Sequence, residues 1–424
     1  MTQLTKRYDA ATQETLYYGR HASGAEIYLI PKKGYSKCHA MFATRYGSLD
    51  SRFHMGQRQI DIPDGTAHFL EHKLFEEEGG NVFDRFSVLG ASANAFTSFD
   101  ITAYHFSATQ SFLESLKVLI SFVQNPYFTP QSVQKEQGII GQEIRMYEDD
   151  PSWQVYFGVL GCLYQNCYVT HDIAGTQESI ATIDDRVLYD IYSVFYHPSN
   201  MILCAAGDFD VEETLGVIDS SLKAAEPLAA PIERQYPKEP DARKKDYTEK
   251  RLSVSMPLFS LAFKDTQMDV SGMELLKKEI TTKILLEMFL GRSSRLYQKL
   301  YENAYINESF GYDYSAHLQY AFTSIEGEAR DPKAVRDIIF AAIAEGVPDE
   351  QAFERGKRVV WGDYIKSQNS ADSLVYSFVL NQINHVNYFD FKQAYDSITY
   401  EDVKARFCSH LRTENAALSV VLPV

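Results

Sequence analysis

The segment GTAHFLEHKLFEEEGG, Gly65 to Gly80, holds two histidines and a glutamate in the order His-x-x-Glu-His. On a helix His68 and His72 lie on one face, about one turn apart, so both imidazoles can reach a single ion. Imidazole nitrogen suits zinc, which in catalytic sites takes three protein ligands and leaves a fourth position to water. Glu71 shares that general face. A carboxylate there can take a proton from the attacking water and later pass it to a leaving amine. Zinc lowers the pKa of its bound water to about 7, so a weak base suffices. The third ligand must come from another element. The best candidate is Glu143 in QKEQGIIGQEIRMYEDDP, 71 residues after His72, with Glu136 seven residues before it on the same helical face. Taken alone, that pair reads more readily as two solvated glutamates on a surface helix; beside His68 and His72 the ligand reading gains.

The elements that must position these groups alternate along the first half. AEIYLIP from Ala25 and CHAMFATRYGS from Cys38 read as strands, and MILCAA from Met201 as a short buried strand. Gly65 to Glu78 switches to a helical pattern, with Gly79 and Gly80 as its stop signal. ANAFTSFDITAYHFSAT from Ala93 suits strands, and 110–124 and 129–147 read as helices. Asp149, Asp150 and Pro151 form the cap and first turn of another helix. Four prolines and mixed charges in 222–245 mark a linker.

The second half repeats the first. GTAHFLEHKLFE aligns without gaps on GRSSRLYQKLYE from Gly291, and SVQKEQGIIGQEI from Ser132 parallels AFERGKRVVWGDY from Ala352. A third pair of blocks, from Ala103 and Ala321, keeps the same order, which indicates an internal duplication. The expected organisation is a zinc-binding domain over 1–221, a linker over 222–245 and a homologous domain over 246–424. Each domain is expected to be α+β, a mostly antiparallel sheet with helices packed on one face. The repeat has lost the metal set: Ser294 stands for His68, Tyr297 for Glu71, Gln298 for His72 and Asp363 for Glu143.

Bulk properties narrow the function. The chain has 424 residues and a formal charge of −16, without a basic block, so a nucleic-acid partner is not expected. Five dispersed cysteines suit a reducing compartment. No secretory leader and no bilayer-spanning apolar run is visible, so a cytoplasmic protein with no membrane partner is the expectation. No GxSxG, P-loop or GxGxxG supports a serine hydrolase or a nucleotide enzyme.

HFLEH, the helical glutamates ending in QEI and then DDP, GASANAFTS, IAGTQESI from Ile173 and YHPSNMILCAAGDFD from Tyr196 together resemble the pitrilysin/insulinase family of inverted-motif zinc peptidases. The resemblance runs over nearly the whole chain and is nearest to the bacterial processing-peptidase branch. It implies that His68, His72 and Glu143 ligate Zn2+, that Glu71 is the general base, and that Glu136 is an accessory acidic residue. It places Asn94 and Ala95 on an edge strand that pairs with a substrate peptide, a mode that needs main-chain hydrogen bonds more than a particular sequence. One departure stands out. Active members of this branch carry an Arg and, seven residues on, a Tyr in the second domain, where this chain has Tyr301 and Glu308. The expected function is therefore a zinc metalloendopeptidase acting on peptides or unstructured segments, completed by a homologous, zinc-less subunit in a heterodimer, with a homodimer as the other arrangement. A non-catalytic structural or assembly subunit is the alternative, and a purely structural zinc site a third reading; neither gives Glu71 a role.

Overall fold

The computed structural model describes residues 2–268 and 270–424. The chain divides into two compact units: Met1–Ile144 with His171–Gln235 and Ser367–Ile383, and Arg145–Thr170 with Tyr236–Lys366 and Asn384–Val424.

The first unit is built on a seven-stranded sheet. Its spatial order is Thr5–Asp9, Glu14–Arg20, Glu26–Pro31, Met201–Gly207, Cys38–Thr44, Thr102–Ala108 and Ala91–Thr97. Only Met201–Gly207 and Glu26–Pro31 run parallel; the other pairs are antiparallel. The two central strands, Cys38–Thr44 and Met201–Gly207, are buried at every position. Such runs without alternation are what a strand covered on both faces requires. On one face Tyr104 and Phe106 meet Phe75, Phe86 and Phe122. The Tyr104 hydroxyl is satisfied by that of Tyr196 at 2.8 Å.

The helix Thr66–Leu74 lies over this face and buries Phe69, Leu70 and Leu74. Burial of three such side chains contributes on the order of 6 kcal/mol, an upper figure because the unfolded chain is already partly collapsed. Its entry is fixed by Gly65, which has φ +90° and would bring a Cβ to 2.5 Å from the Ala174 carbonyl oxygen. The IAGT segment thus seats the start of this helix. The helix ends at Leu74, earlier than the glycines suggest. Glu76–Glu77 and Gly80–Asn81 pair instead as a small antiparallel hairpin, with Gly79 in its turn and Gly80 opening its second strand.

The opposite face of the same sheet is covered by Ala371–Ile383, a helix from the far end of the chain. Phe378 packs on Tyr28, and Tyr376 on Phe96. The second unit receives a helix in return. Pro151–Leu163, capped by the Asp150 carboxylate on the Trp153 N–H at 2.9 Å, lies on its sheet. Gly158 allows the approach, since a Cβ there would stand 2.3 Å from Ser419 Oγ.

That second sheet runs Tyr247–Leu252, Ala416–Pro423, Leu258–Lys264, Ala321–Glu328, Gly311–Ala316. It opens on a parallel pair and continues antiparallel, the same pattern as the last five strands of the first sheet. The α+β expectation holds for both units, and the duplication read from three sequence blocks is repeated in the strand topology; the expectation of helices on one face does not hold for the first sheet, whose second face is covered by Ala371–Ile383, a helix too distant in sequence to be assigned to it. Among the described residues no helix is long and apolar enough to cross a membrane.

Candidate active site

Two helices of the first unit bring the predicted groups together. Thr66–Leu74 presents His68, Glu71 and His72, and the long helix Pro130–Asp149 presents Glu136 and Glu143. The long helix turns Val133, Ile140 and Ile144 inward, which sets its two glutamates at the boundary facing the histidines.

His68 Nε2 and His72 Nε2 stand 3.7 and 3.5 Å from the two carboxylate oxygens of Glu143. These separations are long for hydrogen bonds. They match the edge of about 3.3 Å expected between tetrahedral ligands held about 2.0–2.1 Å from zinc. One ligand atom from each of the three residues lies within 4.8 Å of the others, and this is the one such His, Cys, Asp and Glu group among the described residues. Two imidazoles and one carboxylate form the donor set of a catalytic zinc with an open fourth position, so the residues fit the metal.

The two histidines are held differently. His72 Nδ1 donates to Glu136 Oε1 at 2.9 Å, which fixes the tautomer and turns Nε2 toward Glu143. Burial alone would lower the pKa of His72, but the Glu136 hydrogen bond and the charges of Glu71, Glu136 and Glu143 outweigh it and raise the value. His68 is buried, its Nδ1 has no hydrogen-bond partner, and burial with the nearby His72 pushes its pKa down to about 3. Neutral His68 is the form that binds a metal.

Glu71 is tethered to the sheet. Thr97 Oγ1 donates to Glu71 Oε2 at 2.6 Å, and Thr97 ends the edge strand Ala91–Thr97. Burial raises the Glu71 pKa; the Thr97 hydrogen bond and His72 act against that rise. A cleft of about 950 Å³ opens on Glu71, His72 and Glu136, and Asn94, Phe75 and Tyr127 also line it. Asn94 Oδ1 accepts from the Ala95 N–H at 2.9 Å, on the strand that ends the sheet.

Residues 53–176, which contain both histidines, Glu71 and Glu143, match the family Insulinase (Peptidase family M16), and residues 182–360 match the Peptidase M16 inactive domain. This chain belongs to peptidase family M16. It is 39% identical to the "uncharacterized zinc protease YmfH" of Bacillus subtilis, over 97% of each chain. A crystal structure of a putative M16-like peptidase from Alicyclobacillus acidocaldarius superposes with a TM-score of 0.93 at 34% identity, covering 99% of both chains. The beta subunit of the Bos taurus mitochondrial-processing peptidase is 29% identical over 36% of this chain and 32% of its own.

Within this M16 chain, sequence reasoning named the groups that converge and passed over Thr97. It is part of the SANAFTS motif, and strand alternation sets it on the same face as Ala95 and Ala93. Only the packing of the helix against that face shows that it meets Glu71. The duplicated helix Arg295–Glu302 shows what the same position becomes without a metal set. Ser294, in the place of His68, caps the helix by accepting from the Tyr297 N–H at 3.0 Å. Tyr297 and Tyr301 stack on each other with ring centroids 5.7 Å apart, and Glu308 is exposed.

Proposed function

We propose that this chain is a zinc metalloendopeptidase that hydrolyses peptide bonds in extended or unstructured polypeptide. The observation that supports it most is the joining of three ligand atoms to a glutamate that is itself hydrogen-bonded to an edge strand. His68, His72 and Glu143 would hold the zinc. Bound there, zinc supplies Lewis acidity to the scissile carbonyl and lowers the pKa of its water to about 7. Glu71 takes the proton of the attacking water and delivers it to the departing amine nitrogen. Thr97 aims the Glu71 carboxylate, and Glu136 acts at one remove, through His72. A substrate strand adding to Ala91–Thr97 would displace the Asn94 side chain from the Ala95 N–H and place its own carbonyl groups beside Glu71.

Glu71→Gln tests the assignment. The variant should bind zinc as the parent does and lose cleavage of an internally quenched peptide by about a thousandfold or more, the scale of losing a general base together with its alignment. Loss of zinc along with activity, or retained cleavage, would remove Glu71 from this role.

The second half supports an obligate partner. Tyr301 and Glu308 occupy the places where the branch it resembles carries its Arg and Tyr, so a homologous subunit would supply that pair in a heterodimer. Cleavage by the purified zinc-loaded chain at the rate of the reconstituted pair would refute this; the alternative of a non-catalytic assembly subunit predicts no cleavage in either sample.

A further inference from the structure

The second unit carries a cleft beside the duplicated helix Arg295–Glu302, closed on its other side by Val347, Asp349 and Arg355 at the start of the helix Glu350–Ser367. It opens on another face of that helix than the active-site cleft does in the first unit: Arg295 and Lys299 stand for Phe69 and Lys73, both fully buried there, while Tyr297, Gln298 and Tyr301, which stand for Glu71, His72 and Phe75, do not line it. The cleft at that place has a volume of about 340 Å³, with Phe289, Leu296 and Val347 as an apolar floor and Arg295, Lys299 and Arg355 around it. The active-site cleft carries five glutamates against one lysine. The cleft in the second unit carries three cations against two carboxylates, Glu345 and Asp349. Asp349 is already engaged, accepting from the Ala352 N–H at 2.9 Å. None of the three cations makes an ion pair or a side-chain hydrogen bond among the described residues. In a protein of net charge −16 such a concave, unpaired positive group is out of character.

The size and the lining define the ligand. A volume of about 340 Å³ lies at the small end of ligand pockets and has room for one or two residues, not for an extended chain. Arg295 and Arg355 offer planar forks suited to a carboxylate, and the floor suits an aliphatic or aromatic side chain. We propose that this cleft binds the C-terminal residue of a peptide, holding its free α-carboxylate on Arg295, Lys299 and Arg355 and its apolar side chain against Phe289, Leu296 and Val347. The choice of a peptide rests on the peptidase reading, since hydrolysis generates new C-termini; the binding itself requires no cleavage.

The test uses the full zinc-loaded chain carrying Glu71→Gln and a fluorescein-labelled hexapeptide ending in Leu, as free acid and as amide, followed by polarisation. The free acid should bind at least about tenfold more tightly, as expected for a charge-assisted pair with Arg. Arg295→Gln with Arg355→Gln should bring the two peptides to within about twofold, because both forks are then gone. Stripping zinc with a chelator should leave the preference intact. Equal binding of acid and amide overturns the proposal, as does a preference that survives the double substitution or disappears with the zinc. Inorganic phosphate displacing the peptide at equal concentration would make this a plain anion patch and also overturn it. Failure of the peptidase reading would show separately, as absence of cleavage by the unsubstituted chain, and would not alter the polarisation result.

Discussion

Glu136 separates a residue that builds the site from one that works in it. Its carboxylate accepts a hydrogen bond from His72 Nδ1 at 2.9 Å and lies two turns from Glu143, the proposed third ligand, on the same face of the helix. A hydrogen bond to a charged group contributes about 1.5–3 kcal/mol, and removing a metal ligand's outer partner costs about 10–100-fold in affinity. Glu136→Gln keeps an acceptor oxygen and loses the charge, so roughly half of the interaction goes: about 1.4 kcal/mol, or tenfold weaker zinc. Glu136→Ala loses both and leaves the His72 ring free to turn, which should weaken zinc by about a hundredfold. Competition with a chromogenic chelator measures both directly. At saturating zinc most peptide cleavage should return in both variants, because Glu136 acts through the orientation of His72. Zinc affinity unchanged in Glu136→Ala would refute the positioning argument. Cleavage lost while zinc is fully bound would instead place Glu136 among the groups that touch the reacting atoms, which its position on the cleft wall allows.

Two further outcomes follow from the packing. Gly65→Ala forces a side chain into φ +90° and against the Ala174 carbonyl, so it should cost about 1–3 kcal/mol and weaken zinc by moving the start of the histidine helix; an unchanged melting temperature would contradict this. In the second unit His410 is buried, with Nε2 on Thr323 Oγ1 at 2.7 Å, and burial followed by the Arg406 charge pushes its pKa down to about 3. The unfolded chain takes up that proton below a pH of about 6.5 while the folded unit refuses it, so stability falls as pH drops through this window. Between pH 6.5 and 5 the loss is about 2 kcal/mol, and His410→Asn should remove about that much of the acid sensitivity of urea unfolding. The neighbouring Asp265, which burial would raise but Arg406 holds well below the usual carboxylate range, titrates outside this window and leaves the comparison clean. Identical pH slopes in the two proteins would rule out the assignment.

How much of this was legible in the sequence depends on whether a local period or a distant contact decides the feature. The four-residue spacing of His68 and His72 fixes their shared face by helix geometry alone, and the seven-residue spacing does the same for Glu136 and Glu143. The strands Cys38–Thr44 and Met201–Gly207 announced themselves as apolar runs. By contrast, the apolar helices Pro151–Leu163 and Ala371–Ile383 declare that they are buried but not against which sheet, and each covers the sheet built mainly from the other half of the chain. Thr97 stayed silent for the same reason: alternation gives its face, and only tertiary packing gives its partner. The duplication supplies what a single site cannot, a comparison under one fold. With the metal ligands in place, the helix start is held by Gly65 against the IAGT segment, and its polar side chains face inward onto a second helix. With them gone, Ser294 takes up ordinary capping and the tyrosines stack on one another. A helix that kept His68, Glu71 and His72 directed at Glu143 merely to stabilise its unit would be a costly arrangement, since burial works against the charge of each group and the repeat shows that the same scaffold folds without them. The persistence of all four in one half, and of none in the other, is what makes hydrolysis the reading that accounts for the chain.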